Sequence, residues 1–195
     1  MADKLRIFVI PMFAYGADQL WYGWLKQRLE ARKKFPMESY TVVELAPERE
    51  KPIISDCVTK LKAAIGSKKD DLARTAIIGH SIGAQVALRT LSELPAGSTI
   101  NGLLCVAGWL KLDLPTKAVK PWIDLPFDEA RAKANARRIL NVVSGSDANQ
   151  INALAVQEDW DKRLGAEVKI VREPGHFSNP EEEDVLNATL EFFGK

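Results

Sequence analysis

Histidine and cysteine are scarce in this chain, with two of each in 195 residues. Two cysteines cannot build the disulfide framework of a small secreted scaffold. Cys57 falls in a predicted helix and Cys105 in a predicted strand, so both are expected to stay reduced. The same four residues match no metal-ligand spacing, and no metal site is expected. No charge of one sign dominates: Lys+Arg is 27 against Asp+Glu 26, a formal +1. That balance leaves no basic footprint for nucleic acid or anionic lipid, and neither is expected as a partner. Hydrophobic runs are short. The first, Leu5 to Ile10, is too brief for a secretory h-region or a membrane span, so the expected location is the cytoplasm. The glycines form no phosphate-cradling run, which removes the motif-level case for a nucleotide, and no cofactor is expected.

Apolar residues, 46 % of the chain, are enough for one sizeable core, and the length fits a single domain over 1–195. Short apolar runs alternate with amphipathic stretches, as in βαβ units of a largely parallel sheet. Six strands are predicted: Leu5–Ile10, Tyr40–Leu45, Thr75–Gly79, Gly102–Ala107, Ile139–Ser144 and Glu167–Val171. Each is rich in Val, Ile and Leu, as strands buried on both faces should be. Helical spacing joins Trp21, Trp24, Leu25 and Arg28-Leu29, and again Ile53/Ile54, Cys57/Val58, Leu61 and Ala64/Ile65, with Pro52 suited to a first turn. Two more helices are predicted at Ile82–Leu94 and Glu182–Phe193. The rhythm breaks at 108–137, an excursion holding Trp109, Trp122 and Phe127, with helical pattern only over Phe127–Arg138. Long irregular segments of this kind are usually functional, and this one leaves a strand's carboxyl end, where α/β sheets place their sites. It is read as flap-like, with Trp109, Trp122 and Phe127 as candidates for an apolar acyl-binding wall.

The sharpest local signal is Gly79-His80-Ser81-Ile82-Gly83, preceded by a predicted strand and followed by a predicted helix. G-x-S-x-G in that context is a nucleophile elbow: a sharp turn exposes the serine hydroxyl, and glycines two positions away clear space for it. The following helix aims its first amides at a developing oxyanion, making the Ile82 N–H one donor. A second would come from the loop after the first strand, from Phe13 or Met12, since Pro11 has no N–H. His80 lies inside the elbow and is read as a packing or hydrogen-bonding residue. His176 follows the last predicted strand and is the candidate general base. Asp147 is the only acidic residue between Glu129 and Glu158 and completes the order Ser…Asp…His; its competing role is to cap a turn.

These residues together resemble the small serine hydrolases that include the retinoblastoma-binding serine hydrolase and its compact bacterial relatives. The shared features are Trp21-Tyr22-Gly23-Trp24-Leu25, Ile77 to Ser81, Leu104 to Gly108, Pro121-Trp122 with Phe127-Asp128, and Gly175-His176-Phe177. The resemblance implies a three-layer α/β-hydrolase fold of about six strands with helices on both faces and no large cap domain. It implies hydrolysis of small esters or amides without a cofactor. The chain departs from the family pattern twice. Pro11-Met12 stands where relatives carry His-Gly or Pro-Gly, which makes the oxyanion loop bulkier. An ungapped match puts Ala148, not Asp147, at the acid's place, so Asp147 serves only if the loop is shifted by one residue. The expected function is therefore cleavage of a small acyl ester, thioester or amide through an acyl-enzyme on Ser81. The alternative is a catalytically weakened hydrolase-fold module that binds a ligand or a protein partner.

Overall fold

A computed structural model describes residues 4–45, 53–112, 115–147, 152–172 and 175–194. Six strands, β1 (Leu5–Ile10), β2 (Met37–Val42), β3 (Thr75–His80), β4 (Gly102–Val106), β5 (Ile139–Ser144) and β6 (Glu167–Val171), form one sheet in the order β2-β1-β3-β4-β5-β6. All neighbouring pairs run parallel. The helices are α1 (Tyr22–Glu30), α2 (Ile54–Ile65), α3 (Lys69–Ala73), α4 (Ile82–Glu93), α5 (Lys120–Asp124), α6 (Glu129–Ala134), α7 (Ala153–Leu164) and α8 (Glu183–Phe193). No helix among the described residues is long and apolar enough to cross a membrane.

Strand alternation divides the core into two layers, because successive side chains leave a strand on opposite faces. Phe8, Ile10, Ile77, Leu103, Cys105 and Val143 pack with α2, α4, α6 and α7. Ile7, Val9, Ala76, Ile78, Leu104, Val106 and Val142 pack with α1 and α8. The central strands are buried along their whole length, which is why their sequences read as unbroken apolar runs. β2 differs. It is a half-exposed edge strand starting directly after Pro36, three residues earlier than its most apolar stretch suggested. On one side of β1 the chain adds β2, and on the other it adds β3 through β6. The order thus reverses between β1 and β3, and the crevice at their carboxyl ends is where an open α/β sheet binds ligands.

Two expectations about apolar stretches change. In α1 the buried residues are Tyr22, Leu25 and Leu29, with Trp21 at its start, while Trp24 is only half-buried beneath the Arg28 guanidinium. The 108–137 segment is not a free flap. Trp109 and Trp122 are each 2 % exposed and belong to the same core as Trp160 and Val156. Buried Arg89 of α4 fastens it, donating to the carbonyls of Trp122 (2.5 Å) and Leu125 (2.6 Å), while Gln85 donates to the Trp109 carbonyl. The Arg89 guanidinium also lies over the rings of Trp122 and half-buried Phe127. Trp109 and Trp122 are therefore packing residues rather than a wall open to an acyl chain, and Phe127 packs against this core beside the Arg89 guanidinium. Burial pulls the Arg89 pKa down to about 10, so it stays charged at neutral pH. Asp113 and Leu114, in the middle of this segment, lie outside the described residues.

Trp122→Ala should accordingly cost ~3–5 kcal/mol of stability, the usual penalty for emptying a core tryptophan site. Denaturant midpoints beside kcat/KM across an acyl series check this. A selective loss of activity on long acyl chains without destabilisation would restore the pocket-wall role.

Candidate active site

The elbow forms where β3 gives way to α4. Ser81 has φ 54° and ψ −113°, a region that a non-glycine residue enters only when its surroundings enforce it. The enforcement is visible: the Ser81 N–H is held by the Val106 carbonyl (2.8 Å), and the Ser81 carbonyl accepts the Ala84 N–H (3.0 Å). Gly79 and Gly83 make the turn possible. A Cβ on Gly79 would lie 2.7 Å from the Ala84 nitrogen, and one on Gly83 would lie 2.3 Å from the Ile10 carbonyl oxygen. The two glycines thus let α4 pack down on both β3 and the end of β1.

Three sequence-predicted residues meet here. The Ser81 hydroxyl lies 2.9 Å from His176 Nε2, and His176 Nδ1 lies 2.7 Å from Asp147 Oδ2. A carboxylate only accepts, so Nδ1 carries the proton and Nε2 is left to accept from Ser81. The Asp147 side chain is fully buried and that of His176 is 14 % exposed, so their bond is largely shielded from water. Asp147 follows β5 in a tight turn whose neighbours also contribute. The Ser144 hydroxyl accepts the N–H groups of Ser146 (3.1 Å) and Gly175 (3.2 Å), tying the acid's turn to the base's loop. The carboxylate points at His176 rather than into the turn; Ala148, the rival position, lies outside the described residues. On the far side of the base, Asn179 donates to Glu182 from both its backbone and its side chain, closing the loop before α8.

The expected oxyanion donors follow the carboxyl ends of the two strands that flank the crevice. Ile82 is the first residue of α4, and Phe13 lies half-buried just beyond β1. Among the described residues neither amide meets an acceptor. Met12 is excluded, because its N–H donates to the Tyr22 hydroxyl at 2.9 Å. The same hydroxyl lies 2.9 Å from His80 Nδ1, and His80 Nε2 lies 2.9 Å from the His176 carbonyl oxygen. His80 faces away from the Ser81 hydroxyl. The sequence showed that much of His80 and named Tyr22 only within the family resemblance, with no role for its hydroxyl. Among the described residues no cluster of His, Cys, Asp and Glu is arranged to hold a metal ion.

The sequence profile described as serine hydrolase matches residues 7–188. The chain belongs to the serine hydrolase family. It is a hydrolase, and solved structures share its fold. The ydeN gene product of B. subtilis superposes with a TM-score of 0.82 at 21 % identity, over 98 % of this chain and 100 % of its own. A structure described as a YdeN-like hydrolase from Pectobacterium atrosepticum gives 0.67 at 19 % identity, over 97 % and 90 %. Esterase PE8 gives 0.60 at 15 % identity, over 98 % and 92 %. At these identities the likeness establishes the α/β-hydrolase fold. No curated protein sequence matches the chain.

His80 sets an acid limit on this serine hydrolase. Burial, and next the nearby His176, pull its pKa from 6.5 to about 3, against smaller opposing effects of the bond to the His176 carbonyl and of Asp147. The folded pKa lies below the unfolded one, so this contribution to stability is complete above about pH 6.5 and is lost as pH falls towards 3. Urea midpoints should therefore drop less steeply between pH 7 and pH 4 in His80→Gln than in the unaltered chain. Parallel slopes would show that His80 carries no such linkage.

Proposed function

We propose that this hydrolase cleaves a small acyl ester, thioester or amide through an acyl-enzyme on Ser81. The observation that carries the reading is the position of His176, bonded at once to Ser81 (2.9 Å) and Asp147 (2.7 Å). In the first step Ser81 Oγ attacks the substrate carbonyl carbon while His176 Nε2 takes the hydroxyl proton. The resulting imidazolium is stabilised by the Asp147 carboxylate, which stays ionised and holds the ring. Amides of Ile82 and Phe13 receive the oxyanion, each worth ~3–4 kcal/mol when well aligned. Collapse of the tetrahedral intermediate expels the alcohol, thiol or amine, which takes the proton from His176. Water then attacks the acyl-enzyme with His176 again as base, releasing the acid and restoring Ser81. The chain's own residues supply the acid, the base and the first nucleophile, and water supplies the second, so the reading calls for no cofactor. Cys57 and Cys105, both free and buried, support a reducing, cytoplasmic setting.

The alternative, a weakened hydrolase fold that binds a ligand or protein partner, drew on a missing acid and a bulky oxyanion loop. Asp147 at hydrogen-bond distance from His176, and Met12 turned to Tyr22 with Phe13 left as donor, favour the enzyme.

A fluorophosphonate should label Ser81 covalently, and Ser81→Ala should abolish both labelling and hydrolysis of short p-nitrophenyl esters with the fold intact by circular dichroism. Hydrolysis persisting at the original rate in purified Ser81→Ala would remove the reading. Asp147→Asn should keep the fold and lower kcat by about 10⁴, because the amide favours the wrong histidine tautomer. A change of less than tenfold in steady-state kcat would show that Asp147 only shapes its turn.

A further inference from the structure

The elbow histidine and the tyrosine of α1 take no part in the proton relay, yet they form a continuous connection between its two sides. The direction of each hydrogen bond follows from the groups themselves. The His176 carbonyl can only accept, so His80 carries its proton on Nε2. Nδ1 of that neutral ring is then an acceptor, and the Tyr22 hydroxyl must donate to it. The hydroxyl oxygen in turn accepts the Met12 N–H. Three bonds of 2.9 Å thus run from the loop after β1, through Tyr22 and His80, to the backbone of the base. Both intermediates are wholly buried, so water offers no substitute partner. The neighbouring residues brace the chain at both ends. Trp21 Nε1 donates to the Phe177 carbonyl (2.9 Å), and Tyr40 donates to the Tyr22 carbonyl (2.8 Å). Phe177, directly after the base, is held at φ 54°, and Ala14, directly after Phe13, at φ 67°.

We propose that Tyr22 and His80 are positioning residues for acyl transfer, holding the Phe13 amide and the His176 imidazole in fixed relation to Ser81. This rests on the acyl-enzyme reading above. Neither residue touches substrate. Tyr22 engages the Met12 amide, so the next N–H along the loop, that of Phe13, is the first one left without an acceptor among the described residues. His80 sets the height of the His176 backbone over the sheet edge, and with it the reach of Nε2 to Ser81. A loop released at either end misplaces a donor or the base by a fraction of an ångström to an ångström, and displacements of that size cost up to about a hundredfold in rate.

A residue that merely packs would change stability and leave the rate of each folded molecule alone. Tyr22→Phe, His80→Leu and His80→Gln therefore separate the roles, assayed at a temperature where melting curves show each to be folded. The readouts are kcat and KM on a p-nitrophenyl ester and the second-order rate of fluorophosphonate labelling at Ser81. Tyr22→Phe and His80→Leu should lower kcat and the labelling rate about tenfold to a hundredfold with KM within about twofold. His80→Gln places an amide nitrogen where Nε2 was, keeps the bond to the His176 carbonyl, and should recover most of the rate lost in His80→Leu. The proposal is overturned if Tyr22→Phe keeps kcat within twofold, or if His80→Gln is as slow as His80→Leu. Should His80→Leu fail to fold, Tyr22→Phe decides alone, since it removes one hydroxyl and no packing volume. Failure of the unaltered protein to label at Ser81 would remove the acyl-enzyme reading itself, whereas normal labelling with unaffected variants removes only the positioning role.

Discussion

The backbone of Ser81 is the constraint on which the rest of this structure depends. A serine at φ 54° is held against its own preference, and the restoring elements come from three places: the Val106 carbonyl on β4, the first turn of α4, and the end of β1 pressed against Gly83. None of these is near in sequence to all the others. They coincide because the sheet reverses its order between β1 and β3, leaving one crevice open at the carboxyl edge. The same reversal brings the loop after β1, which holds Phe13, beside the N-terminus of α4, which holds Ile82. The strain at Ser81 and the closeness of these two segments are thus two consequences of one topology.

The candidate acid and base, Asp147 and His176, come from further along the sheet and are tied to each other as well as to the serine. Ser144 binds the turn of Asp147 to Gly175, and Asn179 with Glu182 closes the loop behind His176. Asn141, a second buried polar residue of β5 beside Ser144, has a related duty. Its side-chain amide exchanges two hydrogen bonds, of 2.9 and 3.0 Å, with the Gly108 peptide, so the segment leaving β4 starts from a fixed point. From there Gln85 and Arg89 of α4 hold the segment down to Leu125. The helix that presents Ser81 at one end therefore anchors the longest irregular stretch with its middle. A buried arginine is costly to desolvate, and this one is compensated by carbonyls and aromatic faces.

Much of the candidate site could be read before folding was considered. The elbow is a local pattern whose glycines have a local reason, and a chain with only two histidines leaves few candidates for the base. Asp147 could be picked because no other carboxylate lies nearby in the chain. The family's spacing pointed elsewhere, and that conflict could not be decided from the chain alone, because one residue of loop shift changes which side chain faces the histidine. The tryptophans misled for a different reason. An aromatic residue in an irregular segment has the same composition whether it faces a ligand or the core, and Trp109 and Trp122 face the core.

What the sequence determined by itself is what short-range periodicity and local chemistry encode: the parallel α/β class, β1, β5 and β6 with their bounds, the elbow at Ser81 and the histidine that comes to lie beside it. Only the tertiary structure decided what depends on contacts between distant segments. Met37–Val42, and not a more apolar stretch, became an edge strand, where one partly covered face is enough. Trp24 left the core, Arg89 entered it, and Met12 lost its amide to Tyr22. Partners 10, 58 and 96 residues apart complete the chain from Met12 to His176, and no pattern along the sequence marks a hydrogen bond at such separations. Periodicity records which face of an element is apolar, whereas the pairing of buried polar groups is set when those faces dock.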